Sequence, residues 1–314
     1  MSRVLAVTEF FNEADNIPSL VENVAAQTVP PDLWLVMDDG STDDSRALFV
    51  DNLETHGIPY HVHSMPPKQK PDANKKGVAF QSVDLLNGEW IRSRNFDYLL
   101  KIDADTRLPR TYTEFGLGLL DRLGGIGAMA GKIHGEAGSE TPMGTAKFVR
   151  WEVVSATAGR YWDLDPDSLW NFIALQLGLR LLVLEDVRVW VTRPTHMVRT
   201  RGLYDYGRRM YYLKWSLPMA LMYSVALFVK RDYALSFLRG YVHELVRGVW
   251  VCNDQELVDF YGPKRMVHRG IGAIPKDDKG VCIELGIKEN DLDSLSPDLL
   301  DSFAAIVESK IEEH

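Results

Sequence analysis

Two short apolar runs, Arg3 to Thr8 and Leu33 to Met37, each stop at polar, turn-forming residues, as strands buried on both faces of a parallel sheet do. Between them Ile17, Leu20, Val21, Val24 and Ala25 recur at helical spacing. The unit of strand, helix and strand then continues. A helix is expected near Asp44 to Leu53, a strand near Tyr60 to His63, a helix near Lys76 to Leu86 and a strand at Tyr98 to Ile102. Such alternation predicts an α/β fold, a Rossmann-like, mostly parallel sheet flanked by helices. Further strands at Ile126 to Ala130 and Leu181 to Trp190, and a helix from Ser168 to Leu177 ended by Gly178, complete a domain expected to span residues 1–197. Residues 198–314 are expected to form a helical C-terminal extension.

Charge narrows the field. The 314 residues carry a formal net charge of -9 with a pI near 5.4, which excludes general nucleic-acid binding because that needs a basic face to displace counterions. Arg199 to Trp250 departs from the rest, with nine Lys or Arg against three Asp or Glu, an asymmetry that points to a partner for that region. Within it Ser216 to Val229 is the most apolar stretch, shorter than the roughly 20 residues of a spanning helix. A buried core helix and a helix lying on a membrane surface both fit it. The tail from Lys276 to His314 holds eleven acidic and four basic residues, and Ser296-Pro297-Asp298 fits the start of a solvated terminal helix. Cys252 and Cys282 show no paired metal or redox spacing. The first apolar run is too short for a signal peptide, so a cytoplasmic location is expected, with peripheral contact at the inner face of the membrane as a further option.

The polar clusters fall just after the expected strands: Glu9 to Glu13, Asp38 to Asp44, and Asp103 to Asp105. In open α/β sheets that edge is where ligands bind. Asp103 and Asp105 stand two apart after a strand, so both can reach one ligand or one hard cation such as Mg²⁺ or Mn²⁺. In Asp38-Asp39-Gly40-Ser41-Thr42-Asp43 the glycine allows close backbone approach and the carboxylates can accept from ribose hydroxyls or a base N–H. A helix cap at Thr42 or Asp43 is compatible with that reading.

Val7-Thr-Glu-Phe-Phe-Asn-Glu13, Gln27, Leu35-Val-Met-Asp-Asp-Gly-Ser-Thr-Asp43 and Lys101-Ile-Asp-Ala-Asp-Thr106 stand together in one order. In order, spacing and placement after strands the sequence resembles the inverting family 2 glycosyltransferases of GT-A fold. The likeness is good over about residues 3 to 195 and looser beyond. It implies transfer of a single sugar, hexosyl in type, from a UDP- or GDP-linked donor to an acceptor that is unidentified, with polyprenyl and lipid-linked acceptors among the options.

By that resemblance Thr8 and Glu13 lie beside the nucleotide base and Asp39 reads the base or ribose, while Asp38 is a donor-binding candidate from the acidic turn itself. Lys76 and Gly77 open a helix near the donor, and Asp103 and Asp105 hold the metal and the sugar diphosphate. The family's Glu-Asp pair falls in Asp163-Leu-Asp-Pro-Asp-Ser168, where Pro166 replaces the Glu and leaves Asp165 and Asp167 as candidate bases; Asp167 is preferred. His196 stands where some GT-A enzymes place a third metal ligand. The Gln-x-x-Arg-Trp motif of processive members is absent, and Tyr206-Gly-Arg-Arg-Met-Tyr-Tyr212 occupies the comparable place. Arg208 and Arg209 there suit a donor diphosphate or an anionic acceptor, or simply a solvated helix face. A sugar-nucleotide-binding protein without catalysis is the alternative from another class.

Overall fold

The computed structural model describes residues 2–65, 85–135, 141–158, 166–193, 200–229, 233–247, 251–252, 254–262, 282–286, 292 and 295–312, with only the backbone at 166, 167, 186, 200, 201, 282 and 284. The chain divides into two compact units, Met1–Thr192 with Lys279–His314, and Arg193–Asp278. The second unit begins at Arg193, and the chain from Lys279 onward belongs to the first unit.

In that unit β1 (Val4–Phe10) leads to α1 (Ile17–Ala25), β2 (Leu33–Asp38), α2 (Ser45–His56), β3 (Tyr60–Ser64), α3 (Glu89–Arg92) and β4 (Tyr98–Ile102). Then come β5 (Thr106–Arg107), α4 (Tyr112–Arg122), β6 (Ile126–Ile133), β7 (Ala146–Arg150), α5 (Trp151–Ser155), α6 (Pro166–Gln176) and β8 (Arg180–Val191). The sheet order is β3-β2-β1-β4-β7-β6-β8-β5. Pairing is parallel across β3, β2, β1 and β4 and again between β6 and β8, with β7 antiparallel to both neighbours. This is a mixed, mostly parallel α/β sheet, as the alternating pattern predicts.

Every residue of β2 is buried, which accounts for its unbroken apolar sequence. On one face Val4, Ala6 and Trp34 pack with Ile17, Leu20, Val21 and Val24 of α1 and Phe49 and Leu53 of α2. Helix α6 ends as expected: Gly178 adopts φ 76°, Leu179 N–H donates to Ala174 at 2.9 Å and Gly178 N–H to Leu175 at 3.0 Å, which satisfies the last carbonyls.

The second unit contains α7 (Thr200–Tyr212), α8 (Leu217–Val229), α9 (Ala234–Arg247) and α10 (Gln255–Tyr261). Helices α7 and α9 cross with their backbones in contact. A Cβ on Gly207 would lie 2.0 Å from the Phe237 carbonyl oxygen, and one on Gly240 would lie 1.9 Å from that of Tyr204. No helix among the described residues is long and apolar enough to cross a membrane.

The chain then returns to the sheet unit. β9 (Cys282–Leu285) adds to β8 in parallel, and α11 (Pro297–Glu312) buries Leu300, Phe303, Ala304 and Val307, with the Phe303 ring against Phe115 of α4. The terminal helix exists where Ser296-Pro297-Asp298 predicts it. It is docked along one face rather than solvated all round, because its apolar residues repeat at helical spacing.

Candidate functional site

Register brings the acidic clusters to one edge. Phe10 lies opposite Asp38 across β1 and β2, and Val7 lies opposite Lys101 across β1 and β4. Two residues further along, Asp103 thus stands at the level of Glu9, beside the loops that follow β1 and β2. This is the carboxyl edge of three adjacent parallel strands.

The loops after β1 and β2 are stitched together. Asp39 N–H donates to the Phe10 carbonyl at 2.9 Å, and Thr42 N–H to Asn12 Oδ1 at 2.8 Å. Asn12 N–H reaches Ser41 Oγ at 3.1 Å, and Glu13 N–H reaches Ser45 Oγ at 2.7 Å. Gly40 adopts φ 76°, a left-handed conformation that a side chain would strain, so that Ser41 N–H can fold back to Asp38 Oδ1 at 2.8 Å. Asp38 is buried and serves this turn, which departs from its expected place against the donor; half-buried Asp39 is the carboxylate left at the edge.

Asp43 accepts from the Ser45 hydroxyl at 2.5 Å, from Ser45 N–H at 3.1 Å and from Ala14 N–H at 3.3 Å. Burial pushes its carboxyl up, yet the hydrogen bonds from Ser45 and Ala14 outweigh this and hold it below the usual carboxylate range. Thr8 is corrected in the same sense. It is fully buried, and its hydroxyl accepts from the Trp34 indole at 3.0 Å, inside the core rather than beside a ligand.

The Asp103 segment is a tight turn, with Thr106 N–H donating to the Asp103 carbonyl at 3.1 Å. Asp103 receives the Lys101 ammonium at 2.5 Å; the lysine side chain is 8% exposed and the aspartate 39%. Lys147, fully buried on β7, lies directly opposite Lys101 and so on the same face of the sheet. Two buried lysine side chains thus lie on the strands behind the edge that carries the aspartates.

Asp105 belongs to a second network. Thr192 N–H donates to its carbonyl at 3.0 Å, while the Thr192 hydroxyl donates to Asn16 Oδ1 at 2.9 Å. Asn16 in turn donates to Glu13 Oε2 at 2.7 Å and offers its carbonyl to Arg107 at 3.2 Å. Burial pulls the Arg107 guanidinium down, and the nearby Asp105 charge works against that. Glu13 is therefore set within the loop by Asn16, and Arg107 is a cation at the site that no motif announced. Asn16 joins three chain segments, and only the folded contacts reveal it.

Among the described residues no group of three or more His, Cys, Asp or Glu gathers around one point. Asp103 and Asp105 nonetheless suit a hard divalent ion, which is often held by one or two carboxylates with substrate phosphates completing the shell. A carboxylate has about four lone-pair sites, so the Lys101 bond leaves Asp103 able to ligate. Lys76, Gly77, Asp165 and His196 lie outside the described residues. Asp167 falls in the first turn of α6, on backbone placement alone.

Arg208 does not act as expected. Its Nε donates to Glu244 of α9, a second bond reaches Asp205 at 3.4 Å, and the Arg208 and Glu244 side chains are only 12% and 7% exposed. Burial pulls the guanidinium down, but the Glu244 bond and charge more than compensate and raise it. The pair fastens α7 to α9. Arg209 stacks its guanidinium 5.0 Å from the Tyr206 ring centroid.

No family model matches the sequence, and no curated protein matches it. Among solved structures, mannosyltransferase PcManGT from Pyrobaculum calidifontis, in complex with GDP-Man and Mn²⁺, is similar to this chain at 13% identity, over 97% of this chain and 86% of that one, with TM-score 0.50. S. aureus TarS is similar at 15% identity over 98% of this chain and 54% of that one, with TM-score 0.49. Glucosyl-3-phosphoglycerate synthase from Mycobacterium tuberculosis, with Mn²⁺, UDP and phosphoglyceric acid, is similar at 16% identity over 66% of this chain and 76% of that one, with TM-score 0.42. The likeness to the mannosyltransferase is one of architecture, and it agrees with the sheet order and flanking helices: the fold is of the GT-A glycosyltransferase type.

Proposed function

We propose that the chain is a glycosyltransferase that moves one hexosyl group, with inversion, from a UDP- or GDP-linked donor to an acceptor hydroxyl or phosphate. The observation that carries this is the register of β1, β2 and β4, which gathers Asp39, Asp103 and the Glu13–Asn16–Arg107 network at one sheet edge in a GT-A type fold. The Mn²⁺ in the mannosyltransferase complex supports a divalent ion here as well, Mg²⁺ or Mn²⁺. Asp103 and Asp105 would hold it, and when bound it supplies positive charge to the departing nucleotide diphosphate.

The chain's own residues divide the remaining tasks. Asp39 accepts from the base or ribose. Lys101 fixes the Asp103 carboxylate. Asp167 takes the proton from an acceptor hydroxyl as its oxygen bonds to the anomeric carbon and the bond to the diphosphate breaks on the opposite face.

The test is a panel of UDP- and GDP-sugars with Mn²⁺ and with Mg²⁺, scored for transfer and for slow donor hydrolysis. Turnover of one donor, lost by about 10²–10³-fold in Asp105→Ala with an unchanged melting temperature, is expected for a group that stabilises transition-state charge. Nucleotide binding without turnover of any donor would replace the proposal with a non-catalytic binding protein. Asp167→Asn then separates acceptor classes, with severe loss for a hydroxyl and mild loss for a polyprenyl or other lipid phosphate, which is already ionised.

A further inference from the structure

Helix α8 is apolar on both sides: Ala220, Ser224 and Leu227 are buried, yet Met222, Val225, Phe228 and Val229 are 65%, 63%, 74% and 75% exposed. These four fall within one broad stripe at helical spacing. Helix α9, which packs against it, repeats the arrangement with Leu235 81% and Val246 79% exposed. Large apolar side chains exposed on two neighbouring helices point to a docking surface.

The charges identify the occupant. Helix α8 has no charged residue at all. On α9 the cations Arg239 and Arg247 are exposed, with Arg239 on the same stripe as Leu235 and Val246, four residues from one and seven from the other. The only acid on α9, Glu244, is turned inward and held by Arg208. Asp205 of α7 faces Arg208 too, while the unit's other described acids, Asp254, Glu256 and Asp259, lie at or on α10. The surface is therefore apolar and positive with no exposed carboxylate on α8 or α9. Helix α8 is 13 residues long, about 20 Å at 1.5 Å per residue, well short of a bilayer's hydrocarbon core. A helix of this kind lies in the interface plane and does not cross it.

We infer that α8 and α9 dock this protein on an anionic lipid surface, with Met222, Val225, Phe228 and Leu235 entering the headgroup boundary and Arg239 and Arg247 meeting lipid phosphates. The docking stands independently of the glycosyl-transfer reading, since it uses no residue of the sheet edge. Each apolar side chain contributes by area and each arginine by attraction that salt screens.

Vesicle co-sedimentation of the full chain tests this, using phosphatidylglycerol-containing and pure phosphatidylcholine vesicles at low and high salt, alongside light scattering for oligomeric state. Binding to anionic vesicles is expected, weakened about tenfold or more by Val225→Ser with Phe228→Ser and by Arg239→Glu, with melting temperatures unchanged because these side chains are exposed. Absence of binding to anionic vesicles at low salt overturns the inference. So does full binding by the serine variant, or a dimer in solution that the serine variant dissolves, which would make a second copy the occupant.

Discussion

Replacing Glu244 with alanine leaves the Arg208 guanidinium buried without its main counter-charge. The two side chains are 7% and 12% exposed, so water screens little of the loss. Breaking a buried pair from one side typically costs about 3–5 kcal/mol. Asp205, 3.4 Å from the same guanidinium, retains part of the interaction and argues for the lower end, about 3 kcal/mol. At about 2.1 cal/mol/K of unfolding entropy per residue, a chain of this size should lose roughly 4–5 °C in melting temperature. The assay is thermal denaturation followed by circular dichroism on wild type, Glu244→Ala, Arg208→Met and the pair Glu244→Leu with Arg208→Met. The pair should recover most of the loss, because apolar residues of similar volume often replace a buried ion pair without penalty. Donor KM should not move in Arg208→Met beyond what its stability explains. If Arg208→Met is as stable as wild type but raises donor KM tenfold, the guanidinium faces the donor and the structural assignment is wrong.

Two further outcomes follow from local geometry. Gly240→Ala places a methyl 1.9 Å from the Tyr204 carbonyl, which forces α7 and α9 apart; a loss of roughly 3 kcal/mol or failure to fold is expected in urea denaturation. Asp43 has a lowered folded pKa, so its contribution to stability is present above the ordinary aspartate value near 3.9 and is lost as pH falls through the folded value. Stability curves of wild type and Asp43→Asn should therefore separate above about pH 4 and converge in stronger acid.

The sheet's inner strands were legible because β1, β2 and β4 are buried on both faces and so read as apolar runs with polar ends. β7 was not, since Ala146-Lys-Phe-Val-Arg150 is short and carries two cations, although Lys147 is fully buried. α4 was hidden by Gly116 and Gly118, which weaken any helical reading of the sequence. Both are packing requirements: a Cβ on Gly116 would meet the Phe148 ring at 2.3 Å, and one on Gly118 would meet Leu300 at 2.6 Å. The return of β9 to β8 and of α11 to α4 depends on contacts across about 100 and about 180 residues of chain, which local pattern does not encode.

At the site the motif spacing located the carboxylates but not their partners. Asp38 and Asp39 are neighbours in sequence with different fates, because one turns back to Ser41 N–H and the other stays at the edge. Asn16, Arg107 and Thr192 join from three separate segments, and the pairing of Arg208 with Glu244 spans 36 residues. For Asp38 and Arg208 residue type suggested ligand contact, and a hydrogen bond within the fold engages each of them.

The most direct measurement is nucleotide binding by thermal shift, with UDP and GDP each added with and without Mn²⁺. A ligand at about 100 times its Kd stabilises the native state by roughly 2.7 kcal/mol, a readily measured rise in melting temperature. The account predicts such a rise for one nucleotide, dependent on Mn²⁺ and lost in Asp103→Ala and Asp105→Ala. No rise with either nucleotide, or an undiminished rise in both alanine variants, would contradict it.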